Sequence, residues 1–220
     1  MSIDLYYSRF SGPCRAVLMT VRQLNVPVNL KHFESGGGDN LKPEFLKLNP
    51  AHTVPTIDDN GFSLWESRAI IQYLCNQYAP DSQLYPSDPK KRALVDRSLN
   101  MDMSLAPQIW EFARAKLLTG VDPPEDKVTT LMNTLKVLDQ IIGGSRYVAG
   151  DELTIADLSL LAYTTYFDWV DLDIGEFANY KRWYTTLKKE LPYFDEINAI
   201  SKEEKEAMVA KVRLRYASKK

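Results

Sequence analysis

Cysteine and histidine are both scarce in this 220-residue chain, which holds two of each. Cys14 and Cys75 are too few for a disulfide scaffold, and each falls inside an apolar helical pattern, so a reducing, cytoplasmic setting is expected. His32 and His52 complete no familiar zinc spacing with those thiols, so no metal site and no bound cofactor is expected. Neither sign of charge is in excess: 27 Lys and Arg against 29 Asp and Glu leave no basic field for nucleic acid. No run approaches the roughly 20 apolar residues that a membrane helix needs, and the N-terminus carries no basic stretch followed by an apolar one. Neither membrane insertion nor secretion is expected. A G-x-S-x-G elbow is also lacking, which disfavours a serine nucleophile.

What is present is organised in two halves. Residues 1–80 alternate β-rich and helical runs, the pattern of an α/β unit. Strands are predicted at 3–7, 28–33, 54–57 and 62–64, the last two joined by the turn-forming Asp58-Asp59-Asn60-Gly61. Helices are predicted at 14–24, 43–48 and 67–78, with a glycine-rich break at 36–38, giving the order βαβαββα. Residues 81–89, rich in proline with Asp and Ser, read as a linker, and beyond them no alternating strand appears. Residues 90–220 are predicted as a helical bundle: a long helix at 90–119 bent at Pro107, a second at 128–142 stopped by Gly143-Gly144, a third opened by the capping box Thr154-x-x-Asp157, a fourth at 176–190 and a charged terminal helix from Lys202. The fold class is therefore α/β followed by all-α.

Chemistry concentrates in three segments of the first half. Ser11-Gly12-Pro13-Cys14, set between the first strand and first helix, is the thioredoxin-like Cys-Gly-Pro-Cys signature with serine in place of its first cysteine. Proline suits the first helical turn, and the positive helix end favours an anion. Such turns stabilise thiolates. Serine supplies no thiolate, but its hydroxyl and the helix-end amides can donate to one brought in from outside; the alternative is a serine that only caps the helix. Cys14 faces into the helix and reads as core, with a thiol-disulfide role as its alternative. In His52-Thr53-Val54-Pro55-Thr56 a proline opens a strand, which places it at an edge or bend. With a cis Val54–Pro55 bond, the Val54 amide and carbonyl can pair with an extended peptide-like ligand, while an ordinary strand-start proline is the plainer reading. Trp65-Glu66-Ser67-Arg68-Ala69 opens the third helix, where free amides and the Ser67 hydroxyl suit a carboxylate and Glu66 suits an ammonium group, capping being the equal alternative for Glu66.

With these segments in place the chain resembles the cytosolic glutathione S-transferases over essentially its full length, most closely the delta class of arthropods. The matching strings are Tyr6-Tyr7, Ser11 to Arg15, Leu41-Lys42-Pro43-Glu44-Phe45-Leu46, Asn49-Pro50, His52 to Thr56, Asp59-Asn60-Gly61, Trp65 to Ile70 and Leu84-Tyr85-Pro86. The resemblance implies glutathione as co-substrate, with Ser11 as the catalytic hydroxyl. It also implies that His52, Thr53, Val54, Pro55, Glu66, Ser67 and Arg68 bind the tripeptide, with hydrophobic electrophilic small molecules as the second substrate. It implies a homodimer in which Asp102 of the partner subunit approaches the γ-glutamyl amine. The electrophile pocket is expected near Phe10, Ala106, Trp110, Phe112, Arg114, Tyr166 and Phe167. Two departures stand out. Asn40 replaces a second histidine, and Ser8-Arg9-Phe10 replaces a Leu-Pro-Gly run at the pocket mouth. A non-catalytic ligand-binding or scaffold protein on the same fold is the alternative function.

Overall fold

The computed structural model describes residues 2–34 and 37–217, so Gly36 of the expected glycine break lies outside the described residues. Strand β1 (Ile3–Tyr7) leads into helix α1 (Gly12–Leu24), and β2 (Val28–His32) is followed by a 3-10 turn at Asp39–Leu41 and the short α2 (Pro43–Leu48). A hairpin of β3 (Thr56–Asp59) and β4 (Phe62–Trp65) then runs into α3 (Ser67–Tyr78). The sheet order is β2-β1-β3-β4. β1 and β2 are parallel, with Leu5 opposite Leu30, whereas β1 and β3 are antiparallel, with Leu5 opposite Ile57. Pairing in β3 begins after Pro55, two residues later than the sequence suggests, because proline has no N–H for the ladder. The hairpin closes through Asn60 and Gly61, both at positive φ (53° and 93°), which is what a two-residue turn matched to strand twist requires.

The rest of the described chain is helical: α4 (Pro89–Thr119), α5 (Glu125–Ile142), α6 (Ile155–Thr164), α7 (Tyr166–Val170), α8 (Ala178–Glu190), α9 (Phe194–Asn198) and α10 (Lys202–Ala217). Helix α4 continues as one helix through Pro107. It starts where Asp88 Oδ1 accepts the amides of Lys90 and Lys91. The expected capping box forms at α6 and does more than cap. Asp157 accepts from the Thr154 amide and hydroxyl, the Val148 amide and the Trp183 indole, all within 2.8–2.9 Å. All ten residues of α6 are buried, because this helix packs against both α1 and α4. The sheet-side core of Leu5, Val17, Ile57, Ile70 and Leu74 is thereby continuous with Leu105, Ile109, Leu135, Leu158 and Trp183 of the helical half. Ser11, at the head of α1, sits where the two halves meet.

Candidate active site

Ser11 is the N-cap of α1, with extended backbone (φ −84°, ψ 118°) and a half-buried side chain. Its Oγ accepts the Cys14 amide over a long 3.4 Å, so the capping reading is correct as far as it goes. A capping serine uses a lone pair, and its O–H hydrogen remains available. The other donors of this turn are engaged inside the protein. The Ser11 amide donates to the Ser8 carbonyl (3.1 Å) and the Arg15 amide to the Ser11 carbonyl (3.0 Å). The Gly12 amide donates to the Tyr166 hydroxyl at 3.0 Å, and Pro13 has no N–H. The helix-end amides that the sequence suggested as thiolate donors are thus occupied, and the Ser11 hydroxyl is the donor this turn has left.

Cys14 is fully buried, and its sulfur accepts the Ser8 amide at 3.4 Å. Burial pushes its thiol up to about 11, against weaker opposing effects of Ser11, Ser8 and Arg15. A thiol so held is a poor nucleophile at neutral pH, which removes the thiol-disulfide reading. Arg15 is buried too. Its guanidinium donates to the Ala162 carbonyl (2.7 Å) and to Thr165 Oγ1 (3.1 Å) and lies against the rings of both Tyr166 and Trp169, 4.7 and 4.6 Å from their centroids.

The second segment is shaped by Asn49, the residue that follows α2 and stands in the matching Asn49-Pro50 string. Asn49 is completely buried. Its Nδ2 donates to Thr53 O, Thr53 Oγ1 and Thr56 Oγ1, and its Oδ1 accepts the Ala51 amide. That last contact is an Asx turn, a local bond that asparagine favours in loops. The loop so held contains a cis Val54–Pro55 bond, as expected. The Val54 amide and carbonyl take part in none of the backbone hydrogen bonds of the described residues. His52 and Thr53 are exposed, and His52 adopts a left-handed backbone (φ 49°). Asn40, the departure from the delta-class pattern, donates its side-chain amide to the His52 carbonyl at 2.7 Å. It supports the histidine's backbone from below.

At the third segment Glu66 is the N-cap of α3 but makes no side-chain cap, and its backbone sits at φ 69°, ψ 109°. A non-glycine residue in that region costs on the order of 1–3 kcal/mol and persists only where its surroundings dictate it. Here Trp65 is locked into the hairpin opposite Thr56 on one side, and α3 begins at once on the other. The plain capping reading of Glu66 therefore fails. Its carboxylate is exposed, while the first-turn amides of α3 are left without a side-chain cap beside the buried Ser67. An open helix N-terminus next to an exposed carboxylate offers one place for each end of an amino acid.

The Arg68 guanidinium is turned toward Asp102, with Nε 3.1 Å and Nη2 2.9 Å from Asp102 Oδ2, so that group ties α3 to α4. Asp102 is completely buried in its own chain, where it also accepts the Ser159 hydroxyl at 2.6 Å. Burial raises its pKa, with Arg68 and Ser159 acting in the opposite direction. Its other oxygen, Oδ1, has no hydrogen-bond partner among the described residues. Among the expected pocket walls, Phe112 and Phe167 are core residues, 3% and 2% exposed, and the Phe167 ring meets Tyr180 of α8. Ala106 is also buried, and Arg114 is exposed. Trp110 is 45% exposed and rests on Tyr166, with ring centroids 5.6 Å apart. Tyr166 is itself buried, and its hydroxyl donates to the Phe10 carbonyl at 2.6 Å. Among the described residues no group of His, Cys, Asp and Glu is placed to hold a metal ion, and no helix is long and apolar enough to cross a membrane.

A thioredoxin-like sheet half whose first helix is headed by serine, continued by a helical half packed on that same helix, defines a class of protein that handles a thiol not its own. The glutathione S-transferase N-terminal domain model matches residues 5–82, and the glutathione S-transferase C-terminal domain model matches 111–190. A delta-class glutathione transferase of Nilaparvata lugens is 41% identical, with a TM-score of 0.85 over 94% of this chain and 97% of its own. A glutathione transferase of Bombyx mori is 36% identical, with a TM-score of 0.87 over 96% and 97%. An epsilon-class enzyme of the housefly, Musca domestica, is 30% identical, with a TM-score of 0.82 over the same shares. The chain belongs to the glutathione S-transferase family and is a glutathione transferase, with its likeness running to the delta class.

Proposed function

We propose that this enzyme conjugates the glutathione thiolate to hydrophobic electrophiles and that Ser11 is the catalytic residue, donating its O–H to the glutathione sulfur. The observation that carries the reading is the state of the α1 turn. The Ser11, Gly12 and Arg15 amides are engaged inside the protein and Pro13 has none, so the donor left for an incoming sulfur is the serine hydroxyl. A hydrogen bond to a charged acceptor contributes about 1.5–3 kcal/mol, which corresponds to roughly one to two pKa units. That range raises the ionised fraction of a thiol near 8.5 at pH 7 from about 3% to between about a quarter and three quarters. The rest of catalysis is proximity and exclusion of alternatives.

In this reading the uncapped first turn of α3, with Ser67, holds the γ-glutamyl carboxylate, and Glu66 holds its ammonium group. The Val54 backbone pairs with the cysteinyl unit, Thr53 and Pro55 shape that edge, and His52 faces the glycyl carboxylate. Phe10 and Trp110 wall the acceptor side. The proposed division is 1–80 for the glutathione half, 81–89 for the linker and 90–220 for the acceptor half. Exposed Phe62, Leu94 and Met103 support pairing of two copies, and a cytoplasmic location suits a chain with two buried free thiols.

Conjugation of a chlorinated nitroaromatic by wild type and Ser11→Ala tests the reading. A loss of kcat/KM of about 10- to 100-fold, the equivalent of one charged hydrogen bond, is expected; equal values would remove Ser11 from the chemistry.

A further inference from the structure

We infer that Tyr166 is the positioning residue for the Ser11 hydroxyl. The inference rests on the proposed role of Ser11 and concerns how that hydroxyl is aimed.

The Tyr166 phenol touches the backbone on both sides of the serine. Its O–H donates to the Phe10 carbonyl at 2.6 Å, and its oxygen accepts the Gly12 amide at 3.0 Å. One group therefore satisfies the acceptor before Ser11 and the donor after it, fixing the peptide planes that carry the serine Cα, and with them the direction of Oγ. The phenol is held in turn. Tyr166 is 3% exposed, with the Arg15 guanidinium 4.7 Å from its ring centroid. The Trp169 ring lies 4.7 Å away, edge to face. The packing favours glycine at position 12, because a Cβ there would lie 3.1 Å from Tyr163 Cδ1 and 3.3 Å from Tyr166 Cε2, and both rings would have to give by a few tenths of an ångström. The clamp also decides which group serves the sulfur: with the Gly12 amide occupied by the phenol, the serine O–H has no competing donor from that peptide. Its anchor lies in the helical half, more than 150 residues along the chain from the turn it holds. The sequence placed Tyr166 in the electrophile wall, and the hydroxyl gives it a different task.

Tyr166→Phe removes the oxygen and keeps the ring. Titration of the glutathione thiol in the binary complex, followed by thiolate absorbance, and the pH profile of kcat/KM should both move. The expected result is a thiol pKa about one unit higher, hence roughly three- to eightfold less thiolate at pH 7 for a bound thiol one to two units below 8.5, and a comparable fall in kcat there, with the KM for glutathione changed less than threefold. In a Ser11→Ala background the same substitution should add almost nothing, because its effect passes through Ser11. A merely structural role would lower activity without moving the titration, or would lower it equally in both backgrounds, and either result overturns the inference. If Ser11→Ala itself leaves the thiol pKa unchanged, the role of Ser11 fails first and the positioning role falls with it. Gly12→Ala, which presses the turn away from the ring, supplies an independent variant should Tyr166→Phe fold poorly. It should raise the thiol pKa in the same direction, and an unmoved pKa there contradicts the clamp.

Discussion

Ser11, Cys14 and His52 show how burial sorts residues of similar chemistry into different roles. Ser11 is half-buried and its hydroxyl is seen accepting only the Cys14 amide, whereas Cys14, three residues on, is sealed in the core with its thiol raised to about 11. This has a consequence for stability. The unfolded chain ionises Cys14 near 9 while the folded chain does not, so the unfolded state binds fewer protons between pH 9 and 11 and stability declines as pH rises through that window. A shift of this size is worth on the order of 2–3 kcal/mol by its upper end. Urea melts at pH 8 and pH 10.5 should therefore show a smaller alkaline loss in Cys14→Ala than in wild type, and identical losses would contradict the burial argument. The role proposed for His52 is binding rather than chemistry: it is exposed, its carbonyl is held by Asn40, and it lies on the loop that Asn49 folds. His52→Ala should raise the KM for glutathione severalfold with kcat within about a factor of two, the signature of lost uniform binding. An unchanged KM would detach that residue from the ligand.

At the level of elements, much of the architecture was legible, for identifiable reasons. Strands and helices up to α3 carry their own punctuation, in Pro27, Asn49-Pro50 and Asn60-Gly61, and α6 announces itself by the Thr154 and Asp157 box. The stretch after α6 was not legible, since α7 (Tyr166–Val170) follows it with nearly every side chain buried. Burial on all sides erases the 3.6-residue pattern from which a helix is read. The short α9 and the 3-10 turn at Asp39–Leu41 escape for want of length. Among the site residues, Ser11 and the cis Val54–Pro55 edge were visible as motifs. The turn of Arg68 toward Asp102, the hub at Asn49 and the clamp from Tyr166 arise from contacts between distant segments, which local spacing does not encode. The capping box makes the strongest prediction at this scale. Asp157 satisfies two amides, a hydroxyl and an indole in the interior, so Asp157→Ala removes a cap worth about 1 kcal/mol. It also leaves buried donors unpaired at about 1–3 kcal/mol each. Equilibrium denaturation should show a loss of about 3 kcal/mol or more, and a loss below about 1 kcal/mol would reduce the residue to an ordinary cap.

For the molecule as a whole, function depends on two halves behaving as one body, since the serine lies on the sheet side and the tyrosine that grips its turn lies on the helical side. The Arg68–Asp102 pair is a second tie, joining α3 to α4 with Ser159 of α6 as a third member. Removing one partner strands a buried charge. Arg68→Ala should cost about 3–5 kcal/mol, whereas replacing both charges by apolar residues of similar volume should cost far less. A double-mutant cycle on denaturation midpoints distinguishes these outcomes, and additive losses would show the pair to be uncoupled. In the proposed reading the sheet half holds the tripeptide, and the helical half holds both the acceptor and the geometry of the turn. The most direct test of its central claim is the pKa of the glutathione thiol bound to wild type and to Ser11→Ala, read by thiolate absorbance against pH. The account predicts a value one to two units below the free thiol, near 8.5, in wild type and a return towards the free value without the hydroxyl; the same depressed pKa in both proteins would contradict it.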